Sequence, residues 1–287
     1  MILRRVFVGT GNVDQDPFVG AVEELSIDES HARDRVSSWY HLAKPRWLRI
    51  NLIAGVNGSL AGTDGTSETL TNRADRLILG VLRRQADVVL VGAASVRAEG
   101  YRLPKTAKLA ILTTSGNLAG HRVGQDSVSV SVSVPASGPA SATASASASA
   151  SASASTSERV LILCPQSAVA TATATLGSLI EADFLVIPDV AGRLDLAQVI
   201  ELLRARGLTK IVCEGGPSLA AQLFDAGLVD ELCLSTSPRM TGNALTLLGA
   251  GQHTDRQLTL EQLLVDNASG IYARWSVTRS TLAFSDS

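Results

Sequence analysis

The sequence predicts an α/β fold: a mostly parallel central sheet flanked by helices, with an antiparallel C-terminal edge. Three observations lead there. Short apolar runs such as D-V-V-L-V (87–91), L-A-I-L-T-T (109–114) and V-L-I-L-C (160–164) have the length and composition of buried parallel strands. Stretches of helical period alternate with such runs. Glycine turns stand at the carboxyl ends of the runs, where ligands of parallel sheets bind.

The elements follow in order. W-L-R-I-N-L-I from Trp47 begins the first central strand, so residues 1–46 are expected to form an N-terminal arm and residues 47–282 the domain. Asn72 to Gln85 places Ala74, Leu77, Ile78 and Val81 on one helical face before D-V-V-L-V and Gly92. Between 125 and 157 the text becomes a Ser/Ala/Val repeat with two prolines and no aromatic anchor. Its composition predicts a disordered surface insertion without chemistry. Asp195 is placed to cap a helix carrying Leu196, Val199, Ile200 and Leu203, which stops at Gly207 before the strand K-I-V-C. Pro217 suits the first turn of the next helix, Gly227 its end, and V-D-E-L-C-L-S the strand after it. I-Y-A-R-W-S-V (271–277) alternates like the antiparallel edge strand.

With 287 residues, 45% hydrophobic, the chain can bury a sizeable core. A formal charge of −2 and a pI near 6.1 give no overall basic field for nucleic acid or acidic membranes, so the expected partner is a small molecule. No apolar run approaches the ~18 residues of a membrane span. Cys164, Cys213 and Cys233 lie far apart in apolar runs, as reduced, buried thiols of a cytoplasmic protein would. His31, His41, His121 and His253 show no ligand spacing, and no metal site is expected.

The stretch V-C-E-G-G-P-S-L (212–219) carries the strongest chemical signal. The first N–H groups of a helix lack partners and bear partial positive charge, so a phosphate docks there when no side chain blocks it. Gly215 and Gly216 supply that bare backbone; a turn using only glycine's dihedral freedom is the alternative. The N-terminal V-G-T-G-N-V-D is a decoy for the dinucleotide fingerprint. Asp14 stands where the third glycine belongs, and no amphipathic helix follows.

Residues 47–101, with I-V-C-E-G-G-P-S-L and G-L-V-D-E-L-C-L-S-T-S-P-R-M-T-G, resemble the reductase domain of bacterial riboflavin biosynthesis, a pyrimidine reductase family with the dihydrofolate reductase fold. The resemblance spans roughly Trp47 to Gly242. It implies NADPH as hydride donor, a homodimer, and a substrate joining a diaminopyrimidinedione to ribose 5-phosphate. Hydride would pass to C1′ of the ring-opened sugar imine.

Matching positions imply roles one by one. Gly92, Ser95 and Glu99 fall on the cofactor side, and Gly215, Gly216, Pro217, Ser218, Leu219 and Ala220 form the pyrophosphate turn and helix start. Thr113, Thr114 and Ser115 follow a strand where related folds hold the 2′-phosphate and adenine. Ile53 takes a position whose backbone meets the nicotinamide, and where the family usually has alanine. Ser67 and Arg83 match substrate-holding positions, Arg83 as a guanidinium fork for phosphate, and Glu214 matches a substrate-contacting acid. Two departures stand out. G-V-N-G replaces the family's S-L-D-G, so Asn57 occupies the place of an acid beside nicotinamide and substrate, and an amide cannot supply a proton. Asn51 replaces a basic residue common in the bifunctional enzymes. The residues leave three readings: this pyrimidine reductase, a related reductase of a pterin or other heterocycle or carbonyl, and a non-catalytic NADPH-binding paralogue.

Overall fold

The computed structural model describes residues 1–8, 22–123, 159–177, 180–243, 245–249 and 251–278. The insertion expected at 125–157 and the Gly9–Gly11 decoy lie outside the described residues.

In chain order the strands are β1 (Ile2–Val8), β2 (Glu23–Ser26), β3 (Trp47–Gly55), β4 (Val88–Gly92), β5 (Lys108–Leu112), β6 (Val160–Cys164), β7 (Ala182–Val186), a small separate hairpin β8 (Asp189–Val190) and β9 (Arg193–Leu194), then β10 (Lys210–Cys213), β11 (Glu231–Ser237), β12 (Leu258–Asp266) and β13 (Ile271–Val277). Eleven of them form one sheet in the order β2-β1-β12-β13-β11-β3-β10-β4-β5-β6-β7. From β11 to β7 neighbouring strands run parallel; from β13 to β2 they run antiparallel. The α/β sheet expected from the sequence is present.

Two expectations change. I-Y-A-R-W-S-V is antiparallel, but β13 lies inside the sheet between β12 and β11 rather than at its edge. Residues before Trp47, expected as an N-terminal arm, add strands β1 and β2 to the same sheet. Leu3 of β1 sits opposite Asp266 of β12, β2 forms the antiparallel edge, and α1 (Ala32–Trp39) packs on α2 (Arg73–Gln85). Leu3, Leu25, Val36 and Trp39 are buried in the same core as α2. Removing that apolar area from water is what holds the segment on the sheet.

Strand alternation divides the core between two faces. Val89 and Val91 of β4 join Ile78 and Val81 of α2 and Ala172 of α4 (Val169–Leu176), whereas Val88 and Leu90 join α5 (Leu196–Ala205) and α6 (Pro217–Asp225). The helix ends follow the capping chemistry: Asn72 Oδ1 accepts from the Asp75 N–H at 3.0 Å, and Asp195 Oδ1 from the Ala197 N–H at 2.9 Å. All three cysteines are buried and unpaired.

One polar cluster crosses the antiparallel boundary. Arg49 Nε of β3 lies 2.9 Å from Glu231 Oε1 of β11, and Arg274 Nη2 of β13 lies 2.8 Å from Oε2. Burial alone would raise the Glu231 carboxyl, but the two guanidiniums outweigh it and hold the group below its usual range. The cluster therefore contributes only while Glu231 is ionised.

Candidate active site

A cleft of about 1410 Å³ opens at the carboxyl ends of β3, β4, β5 and β10. That exceeds the roughly 300–1,000 Å³ of a usual single-ligand pocket and leaves room for a dinucleotide beside a substrate. Every site residue expected from the sequence lines it except Asn57 and Ala220. Its wall carries eight basic side chains (Arg33, Arg76, Arg83, Arg84, Arg97, Arg102, Lys105 and Arg122) against five acidic ones (Asp64, Glu68, Asp75, Glu99 and Glu214). The whole chain has 25 basic and 27 acidic residues, so the positive bias is local and suits anionic ligands.

The floor is the turn after β10. Pairing with β4 runs on into it: the Glu214 N–H donates to Leu90 O and the Gly92 N–H to Gly215 O, both at 3.0 Å. Gly215 has φ +106°, a conformation L side chains rarely adopt, and a Cβ there would stand 3.1 Å from Leu52 Cδ2. A Cβ on Gly216 would meet Ser95 Oγ at 3.1 Å. Ser95, on the short helix α3 (Ala93–Ala98), accepts the Gly216 N–H at 2.9 Å. The Gly216 N–H is thus held by a hydroxyl and does not stand free. Among the described residues no side chain caps α6; the Leu219 and Ala220 N–H groups donate to Gly216 O, both at 3.0 Å, and proline has no N–H, so the Ser218 N–H is the first-turn donor left at the cleft wall formed by Pro217, Ser218 and Leu219. This backbone fits a diphosphate: the helix end is uncapped and no Cβ obstructs the approach.

Thr113 is buried; its N–H donates to Leu163 O and its Oγ1 accepts from the Gly116 N–H, both at 3.0 Å. It shapes the turn that exposes Thr114 and leads to Ser115. Glu99 accepts the Ser67 N–H at 3.3 Å, tying the loop before α2 to the end of α3. Asn51 and Ile53 lie half-buried on β3, opposite Cys233 and Ser235 of β11.

Arg83 and Glu214 face each other. Arg83 Nε and Nη2 donate to Glu214 Oε1 and Oε2, each at 2.6 Å, and the side chains are 19% and 6% exposed. Burial works against the guanidinium's charge, yet the adjacent carboxylate raises its pKa further. Tyr101, absent from the sequence expectations, donates its O–H to Glu214 Oε2 and lies under the guanidinium, whose Cζ is 5.2 Å from the ring centroid. Burial holds the Tyr101 hydroxyl well above its usual pKa. Asp75 was also missed. Its carboxyl is buried against Thr71 and Ser235, and burial raises its pKa despite those hydrogen bonds. Its helical position next to an N-cap reads as an ordinary capping acid, so no sequence signal marks it.

Asn57 lies away from the cleft wall. Its Nδ2 donates to Thr241 O at 2.7 Å, and Val56 N–H donates to Arg239 O at 2.9 Å, so the G-V-N-G turn anchors the loop after β11. Among the described residues no three His, Cys, Asp or Glu side chains converge to hold a metal, and no helix is long and apolar enough to cross a membrane.

The family model described as the RibD C-terminal domain matches residues 46–269. The riboflavin biosynthesis protein RibD of Chlamydia pneumoniae is 25% identical over 262 residues, 83% of this chain and 61% of that protein. RibD of Escherichia coli K12 is 41% identical over 59 residues, 21% of this chain and 16% of that protein. The chain thus spans less than two thirds of these curated relatives. A pyrimidine reductase-like protein from Corynebacterium diphtheriae matches with a TM-score of 0.62 at 20% identity, covering 86% of this chain and 99% of that one. A deaminase/5-amino-6-(5-phosphoribosylamino)uracil reductase from Thermotoga maritima matches with a TM-score of 0.56 at 14% identity, covering 81% of this chain and 57% of that one. At these identities the likeness is one of fold.

Proposed function

Because the chain belongs to the RibD C-terminal domain family, we propose that it is an NADPH-dependent reductase of riboflavin biosynthesis, converting 5-amino-6-(5-phosphoribosylamino)uracil to its ribitylamino product. We propose further that it works in the cytoplasm as a homodimer. The observation that carries this reading is the convergence of the E-G-G-P-S-L turn, Ser95, the Thr113–Ser115 turn and Arg83 on one basic cleft at the strands' carboxyl ends.

In this reading the first turn of α6, with Gly215 and Gly216, holds the cofactor's diphosphate, and Ser95 keeps the Gly216 peptide in place. Thr114 and Ser115 take the adenosine 2′-phosphate, Ile53 on β3 borders the nicotinamide, and Asn51 on the same strand is a substrate-binding residue. Arg83 faces the substrate's phosphate, and Glu214 orients Arg83 while keeping acceptor capacity on Oε1 for the substrate. Bound there, reduced nicotinamide supplies a hydride to C1′ of the ring-opened sugar imine. The protein's share is to position donor and acceptor and to keep water out with Leu52, Leu79 and Leu112. The family's missing acid at Asn57 weighs little here, since that amide anchors a loop outside the cleft wall.

The test follows loss of the reduced cofactor's absorbance with the phosphoribosylamino-pyrimidine and, separately, with dihydrofolate. Turnover of the first alone supports the proposal. Turnover of the second instead points to a pterin reductase, and cofactor binding with neither points to a non-catalytic paralogue.

A further inference from the structure

Three chain segments far apart in sequence meet at Tyr101: the last turn of α2, the loop after α3 and the turn after β10. Tyr101 donates to Glu214 Oε2, and Arg83 grips both carboxylate oxygens at 2.6 Å while lying over the Tyr101 ring at 5.2 Å. The guanidinium is therefore fixed along its Nε–Nη2 edge by a carboxylate and on one face by an aromatic ring. Its Nη1 takes no part in the bidentate pair with Glu214 and belongs to a side chain in the cleft wall. An arginine at a helix end ordinarily loses side-chain entropy when it captures a ligand; here the ordering is complete before any ligand arrives.

We propose that Tyr101 is a positioning residue that sets the Arg83–Glu214 pair so that Nη1 is presented, already oriented, to the phosphate monoester of the substrate. The Tyr101 hydroxyl does this by holding Glu214, and the ring by supporting the guanidinium plane. The identity of the substrate rests on the reductase reading above; the presentation of a fixed guanidinium to a sugar phosphate does not.

The experiment compares Tyr101→Phe, which keeps the ring, with Tyr101→Leu, which loses both contacts, by calorimetric titration of ribose 5-phosphate and by steady-state turnover of the pyrimidine and its dephosphorylated riboside. Losing one hydrogen bond to a charged group is expected to weaken ribose 5-phosphate binding, and to raise KM for the phosphorylated pyrimidine, by about tenfold. The change in kcat stays below about twofold, Tyr101→Leu loses more than Tyr101→Phe, and KM for the riboside does not move. NADPH affinity of the Phe variant follows the parent protein. Equal losses with and without the phosphate, unchanged ribose 5-phosphate affinity in both variants, or no binding of ribose 5-phosphate by the parent would each overturn the inference. Failure of pyrimidine turnover alone would count against the reductase reading, and the ribose 5-phosphate titration would still decide the role of Tyr101.

Discussion

Arg83 at the end of α2 and Glu214 after β10 form a bidentate pair, two N–H···O bonds of 2.6 Å across 131 positions of sequence. The pair stands in a cleft wall with the carboxylate only 6% exposed, so water compensates little if either partner is removed. The resemblance alone implies substrate contacts for both residues; the structure adds that they bind each other.

Glu214→Gln is expected to destabilise the fold by about 3 kcal/mol, because it leaves the Arg83 charge partly buried without its counter-ion. Urea denaturation at neutral pH checks the value. A loss below about 1 kcal/mol would mean that solvent already screens the pair.

Gly216→Val is expected to weaken NADPH binding at least about a hundredfold. The added side chain would crowd Ser95 Oγ and enter the phosphate's approach. Ser95→Ala, which releases the Gly216 N–H, should weaken binding by about tenfold. Cofactor fluorescence titration measures both, and parental affinity in the valine variant would remove the turn from the cofactor site.

Asp75 gives stability a pH dependence opposite to that of most carboxylates. Its folded-state pKa is raised by burial, so the folded protein keeps a proton that the unfolded chain releases in the usual aspartate range near ~4. Its contribution is full below that range and is lost as pH rises through the folded pKa. Asp75→Asn should therefore gain stability relative to the parent as pH rises from acid toward neutral. Denaturation midpoints across that window test the sign, and a constant difference would show that folding does not shift the Asp75 pKa.

Glu231 works the other way. Its lowered pKa means that its contribution is present above the unfolded carboxyl range and disappears as pH falls through the folded value. At neutral pH Glu231→Gln should cost about 3–5 kcal/mol, leaving Arg49 and Arg274 without their shared carboxylate. The gap between variant and parent should narrow in acid.

Asn57→Asp is expected to lower stability by about 1–2 kcal/mol without raising turnover. A carboxylate at that position faces Thr241 O, which now accepts from the Asn57 amide. A large gain in rate would instead restore the idea of a lost catalytic acid.

The α/β class, the parallel strands, the helix from Asn72 to Gln85, the cap at Asp195 and the glycine turn before α6 were all legible in the sequence. Each depends on residues within a few positions of one another, through side-chain period, capping chemistry or glycine at a tight turn. Tertiary structure decided the rest. Whether β13 closes the sheet or sits inside it depends on which strand pairs beyond it: β12 does, and β1 and β2, from the opposite end of the chain, extend the sheet past β12. Arg83, Tyr101 and Glu214 become one cluster only once β10 lies beside β4, and Asn57 reaches Thr241 O only because the loop after β11 folds back onto it. Long-range pairing of this kind leaves no periodic trace in a single sequence, because its energy belongs to partners that local spacing does not connect.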